Sequence, residues 1–176
     1  MSFIKIEKKI KNFNKDLIIA GDKSLSIRWA LLASQSHYRS KSYNLLNSED
    51  VIDALKCLKK LGVKIKLTKK YCEIYGVGLN GFKYKKSLSL NAGNSGTLGR
   101  LIMGLLVHCK NSVKLTGDKS LSRRDFLRVS KPLEKFGAKF KTNSGKLPII
   151  IKGTDNPLPI RYREIRGSAQ CKSAVM

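Results

Sequence analysis

Three short runs hold side chains whose types and spacing suit the binding of small anions: Gly21-Asp22-Lys23-Ser24-Leu25-Ser26-Ile27-Arg28, Asn91-Ala92-Gly93-Asn94-Ser95-Gly96-Thr97 leading to Arg100, and Ser168-Ala169-Gln170-Cys171-Lys172-Ser173. In the first, Lys23 and Ser24 fall where a helix begins, and free backbone N–H groups with the helix dipole favour negative charge there. Arg28 lies one turn beyond Ser24 and can share its face. Ammonium, hydroxyl and guanidinium then converge on a phosphate or a carboxylate. In the second run, two glycines let the backbone approach a ligand closely. The third is a cluster of donors at a helix tip. Ser122-Arg123-Arg124, after the Gly117-Asp118 turn, adds guanidinium groups from a fourth place. Each run by itself also fits a capped helix with solvated cations, and none has Walker spacing. Gly76-Val77-Gly78-Leu79-Asn80-Gly81 has the form G-x-G-x-x-G, but FKYKK follows instead of a helix, so a loop is expected there.

The rest of the inventory narrows the chemistry. Cys57, Cys72, Cys109 and Cys171 form no C-x-x-C pair, and only His37 and His108 offer imidazole. No metal site is expected from such spacing, and little room is left for a Ser-His-Asp or Cys-His site. Cys57 and Cys109 sit among apolar neighbours and read as core thiols. Lys, Arg, Ser, Asn, Gln and glycine-shaped backbone must carry whatever chemistry there is.

The elements that must position these groups repeat. Residues 55–65, LKCLKKLGVKI, are echoed by residues 130–140, SKPLEKFGAKF, each reading as a helix end, a Gly stop and an alternating strand. Strands are expected at 63–67 and 71–75 in the first copy, and at 138–141 and 147–151 in the second. Upstream, strands at 43–46 and 112–115 lead into Ser48-Glu49-Asp50 and the 117–122 turn, and helices are expected over 24–36 and 95–108. Ser48 is placed to cap a helix whose first turn carries two acids. The unit is helix–strand–helix–strand–strand, of about 75 residues, present twice. A strand at 160–165 and a helix opened by Ser168 begin a third copy. The sequence stops in that helix's apolar run, so it reads as a fragment cut inside the third unit.

The chain has 176 residues, with 36 Lys+Arg against 12 Asp+Glu and a formal charge of +24. That length suits one domain with or without part of another. The charge is the footprint of a polyanion binder. However, Lys dominates, is scattered over nearly every segment and stands among Ile and Asn, as an A+T-rich genome would produce. With no recognition module in view, a solvated surface is favoured over a nucleic-acid site. No apolar run reaches the ~18 residues of a membrane span, and no secretory signal is seen. A soluble, cytoplasmic protein is expected.

GDKSLSIR, LLNSEDV, NAGNSGTLGRL, LTGDKSLSRR and GSAQCKS occur in the order found in the 5-enolpyruvylshikimate-3-phosphate synthase family, and from about Gly21 to Met176 the chain resembles it. The sister UDP-N-acetylglucosamine enolpyruvyl transferases share the fold but lack the Asp-Lys-Ser and Ser-Ala-Gln pattern; they are the alternative, beside a non-catalytic anion- or nucleic-acid-binding protein. The resemblance implies an α/β fold of repeated βαβαββ units, helices inside and sheets outside, like an inside-out α/β barrel. Residues 1–20 would be a leading strand crossing to a second domain, 21–176 the first domain with two repeats and the start of a third, and the second domain would be absent. It further implies that Lys23, Ser24, Arg28, Ser168, Ala169 and Gln170 hold 3-phosphoshikimate, and that Lys23, Asn94, Gly96, Arg124 and Gln170 hold phosphoenolpyruvate. The family joins the enolpyruvyl group to the 5-hydroxyl by addition and elimination, without cofactor or metal. Its acid and base lie in the second domain, so no catalytic residue is assigned to this chain and the isolated piece is expected to be inactive. The full-length protein is expected to be a monomer with no nucleic-acid or membrane partner. Two positions depart from the family: Ala20 stands where Pro is usual, and Asp125 follows Arg124 in place of Pro. An acid so placed is expected to pair with Arg124 and weaken its hold on a carboxylate.

Overall fold

The computed structural model describes residues 14–165 and 167–176, together with Lys5, Glu7, Lys9 and Asn12. Helix α1 (Lys23–Ser34) begins where Asp22 Oδ1 accepts a hydrogen bond from the Leu25 N–H at 2.7 Å. Strand β1 (Arg39–Tyr43) follows and ends at Asn44, whose φ of 58° turns the chain away. Helix α2 (Glu49–Lys60) carries Glu49 and Asp50 at its positive end and Lys59 and Lys60 at its negative end. Strands β2 (Lys64–Leu67) and β3 (Tyr71–Tyr75) complete the first unit. The second unit runs β4 (Leu88–Asn91), α3 (Gly96–Leu105), β5 (Val113–Thr116), α4 (Leu127–Glu134), β6 (Lys139–Asn143) and β7 (Lys146–Lys152). Helix α5 (Ala169–Val175) then opens behind Ser168, whose Oγ accepts from the Cys171 N–H at 3.3 Å.

The sheet topology reproduces the repeat. One sheet has the order β1-β3-β2, all antiparallel, and the other the order β4-β5-β7-β6. Strands β5, β7 and β6 are related as β1, β3 and β2 are, and β4 adds a parallel neighbour to β5. Both α2 and α4 give way to the following strand through a left-handed glycine, Gly62 at φ 91° and Gly137 at φ 102°. That conformation suits glycine and closes a helix C-terminus, which is why the echoed LG and FG pairs fall there. Along β7 inward and outward residues alternate, with Leu147, Ile149 and Ile151 buried.

Each sheet therefore turns one face to solvent and packs the other on helices. Helix α1 packs on α2 and α3, and α3 on α4 and α5. Ile27, Leu58, Leu98, Ile102, Phe126, Ile149 and Cys171 are buried within one continuous core. Helix α1 is apolar on more than one side: Ile27 and Ala30 are buried, while Leu25 and Leu32 stand exposed. Among the described residues no helix is long and apolar enough to cross a membrane.

Three expectations change. The strand predicted at 43–46 lies earlier, at Arg39–Tyr43, because pairing with β3 sets Arg39 opposite Tyr75 and Tyr43 opposite Tyr71. A polar RSKSY sequence carries no alternation that would show this. Strand β4 had no predicted counterpart in the pattern; a four-residue LSLN is too short to stand out, and its place beside β5 makes it a strand. No strand forms at 160–165, where the described residues have irregular backbone and no ladder partner. The leading strand expected within 1–20 falls largely outside the described residues, and residues 14–20 form none.

Candidate functional site

The second run of the sequence folds as a loop tied on both sides before α3 begins. Ala92 N–H donates to Thr116 O at 2.9 Å, and Asp118 N–H donates to Gly93 O at 2.8 Å. Gly93 has φ 55°, and a Cβ there would collide with the Asp53 carboxylate, so two separate constraints ask for glycine. Ser95 caps α3, its Oγ accepting from Leu98 N–H at 3.3 Å. At Gly96 an added Cβ would stand 3.0 Å from one Arg124 nitrogen and 3.1 Å from one Arg100 nitrogen. The bare glycine lets two guanidinium groups close over the start of the helix.

Around this helix start lies a cavity of about 370 Å³ lined by Lys23, Asp50, Asn94, Gly96, Thr97, Arg124 and Gln170. Arg124 donates to Asn94 Oδ1 at 3.1 Å. Lys23 Nζ lies 3.0 Å from Asp50 Oδ2. From the third helix start, Gln170 reaches across: its Oε1 accepts from Arg100 at 2.6 Å, and its Nε2 donates to Thr97 Oγ1 at 3.1 Å. Because a guanidinium only donates, the oxygen of the amide must face Arg100, and its orientation follows from that. Arg100 is half-buried with its ring neighbour Phe126 at 5.4 Å. Burial, with the charges of Arg128 and Arg124 nearby, lowers its pKa below the ordinary guanidinium value. Two cations, three neutral polar side chains and a bare helix turn, with the Asp50 carboxylate beside Lys23, are groups whose chemistry suits an anion with oxygen atoms.

The model of the family described as EPSP synthase (3-phosphoshikimate 1-carboxyvinyltransferase) matches residues 7–176. The chain belongs to the EPSP synthase family. The 3-phosphoshikimate 1-carboxyvinyltransferase of Ruthia magnifica subsp. Calyptogena magnifica is 44% identical over 160 residues, covering 91% of this chain and 37% of the relative. That of Bradyrhizobium sp. (strain ORS 278) is 40% identical over 161 residues, covering 90% and 36%. A solved structure of EPSP synthase from Acinetobacter baumannii superposes with a TM-score of 0.85 at 35% identity, covering 90% of this chain and 36% of that one. The chain thus spans somewhat over a third of the length of the relatives it matches.

Of the residues the EPSP synthase resemblance singled out, Lys23, Asn94, Gly96, Arg124 and Gln170 line the one cavity. Arg28 does not. It lines a separate, mainly apolar groove with Leu31, Leu32, Leu101 and Met176, and one of its nitrogens lies 3.4 Å from Ser24 O. Ser24 lies within the first turn of α1, Ser168 is occupied as the cap of α5, and Ala169 is exposed at its first position. Asp125 does not pair with Arg124; its Oδ1 accepts from Leu127 N–H at 2.7 Å and starts α4. Local backbone bonding has claimed the acid, which leaves Arg124 to Asn94. Thr97 and Asp50 were missed as lining residues, and Arg100 as the partner of Gln170. The run that named Arg100 hinted at its role, but nothing in the sequence set Asp50 opposite Lys23. Among the described residues, no three His, Cys, Asp or Glu side chains come together to hold a metal.

Proposed function

We propose that this chain supplies one wall of a site that transfers the enolpyruvyl group of phosphoenolpyruvate to the 5-hydroxyl of 3-phosphoshikimate, releasing phosphate. The observation that carries the reading is the convergence of Lys23, Asn94, Gly96 and Gln170 from three helix starts, and of Arg124 from the turn before α4, on one cavity. Two phosphorylated anions repel each other, and converging cations in a confined space offset that cost while holding the reacting groups together. Lys23, Asn94, Gly96, Arg124 and Gln170 would hold phosphoenolpyruvate, whose carboxylate suits a guanidinium and whose phosphate suits an ammonium. Lys23, Ser24, Arg28, Ser168, Ala169 and Gln170 would hold 3-phosphoshikimate along the neighbouring edge of α1 and α5. Proton donors and acceptors for the transfer come from elsewhere, since the one carboxylate lining this cavity is engaged with Lys23. The acting protein is a cytoplasmic monomer without nucleic-acid partners, in which residues 21–176 are the first domain and 1–20 the crossover.

The test is a titration of the 176-residue chain at ~0.15 M salt with phosphoenolpyruvate, 3-phosphoshikimate and duplex DNA, read by heteronuclear NMR. Shifts at Gly96, Arg124 and Gln170 with both phosphorylated compounds are the expected result. Salt-steep DNA binding with no response to the shikimate ester would overturn the proposal in favour of a polyanion-binding protein.

A further inference from the structure

Gln170 lines the cavity, yet its amide is held by groups from another helix. Gln170 is the second residue of α5, and helical backbone bonding does not orient a side-chain amide. The contacts that do so are two: Arg100 to Oε1 at 2.6 Å, and Thr97 Oγ1 to Nε2 at 3.1 Å. Both partners lie on α3, one turn apart or less, and α3 is anchored by its Ser95 cap and by buried Leu98, Leu101 and Ile102. Arg100 itself is confined. Its guanidinium packs over Phe126, which is fully buried, and its Nε is buried without a hydrogen-bond partner. The side chain is thereby kept from solvent, which would otherwise draw a guanidinium outward.

Resting on the anion-site reading above, we infer that Arg100 is a positioning residue: it fixes the orientation of the Gln170 amide and so decides which atom of Gln170 the ligand meets. Arg100 does not line the cavity, so it acts through the glutamine. An amide free to rotate would present oxygen and nitrogen alternately, and an anion accepts only the nitrogen. With Arg100 holding the oxygen, the two amide hydrogens are left to Thr97 and to the cavity. Lysine at this position keeps the charge but offers a point charge without the planar fork, and it does not reproduce the hold.

The test uses the 176-residue chain with Arg100→Lys, Gln170→Ala, the double variant and Thr97→Val. In the wild type, the two side-chain amide protons of Gln170 should give separate, sharp NMR signals; in Arg100→Lys they should shift and broaden without any ligand present. Phosphoenolpyruvate affinity should fall about tenfold in Arg100→Lys, the loss of one charged hydrogen bond in the chain of contacts. It should fall by a similar factor in Gln170→Ala, and no further in the double variant, because both changes remove one coupled unit. Thr97→Val should cost less than either. Additive losses in the double variant, or unchanged Gln170 amide signals in Arg100→Lys, would overturn the assignment. If the wild type ignores phosphoenolpyruvate the function proposed above fails, while the ligand-free amide signals still judge Arg100.

Discussion

The two repeats share a topology but build their sides of the cavity by opposite electrostatics. On the first-repeat side Lys23 stands half exposed and is paired with a carboxylate, Asp50, at 3.0 Å. On the second-repeat side the guanidinium groups rest on neutral amides: Arg124, in the lining, on Asn94 at 3.1 Å, and Arg100, outside it, on Gln170 at 2.6 Å. A cation paired with a carboxylate has spent part of its field before a ligand arrives, whereas one held by an amide keeps its full charge and gains a fixed direction. Capping does not divide by repeat, since α1 and α3 both begin with a made side-chain cap while α2 and α4 do not. Ser95 makes its capping bond inside the structure, whereas the Ser48 hydroxyl makes none and is left buried without a partner. Repetition of the fold has therefore not meant repetition of the site; the second repeat carries the ordered, fully charged half.

The largest effect expected from the contrast is on stability at alkaline pH. The first repeat buries two thiols, and burial pushes both Cys57 and Cys72 from the usual 9.0 to about 11. The folded protein keeps protons that the unfolded chain begins to release near pH 9, so the stability these thiols lend is whole below about pH 9 and is lost as pH rises through about 11. Thermal melts from pH 8 to 11 should show this decline, and Cys57→Ala with Cys72→Ala should flatten it relative to the wild type at the same pH. An unchanged slope would mean that the first-repeat core admits water.

Next in size is the difference between the two cations of the cavity. Arg124→Ala should weaken phosphoenolpyruvate binding by roughly tenfold to a hundredfold, a charged hydrogen bond being worth roughly 1.5–3 kcal/mol. Lys23→Ala should cost less, since Asp50 already offsets part of its charge. Isothermal titration of both variants decides the matter, and a larger loss from Lys23→Ala breaks the comparison.

The smallest effect concerns the caps. Ser95→Ala should lower stability by about 1 kcal/mol, as loss of a made cap does, while Ser48→Ala should cost only a few tenths, having no cap bond to lose. Urea unfolding curves measured side by side give the difference directly. Equal losses would place a capping role on Ser48 that its geometry does not contain.

Much of the frame was legible because it is local. The echo between LKCLKKLGVKI and SKPLEKFGAKF marks two helix ends whose glycines do take left-handed φ, since only glycine does so without strain. The Lys, Asn, Gly, Arg and Gln of the helix starts were found as types and spacings, since a helix N-terminus with cations nearby is an anion site by its own chemistry. Strand β1 was misplaced and β4 missed because a polar or very short strand is defined by its partner, not by its pattern.

What the sequence by itself determined is the repeating unit, the three helix starts and the donors and cations gathered at them, all consequences of periodicity, capping and charge within a few residues. The tertiary structure alone decided which of those groups meet. It set Asp50 against Lys23, carried Gln170 to Arg100 and Thr97, and sent Arg28 into a separate groove. Each of those outcomes depends on how separate helices pack across one core. Contacts between residues distant in sequence follow from the filling of that core, and no local pattern encodes them.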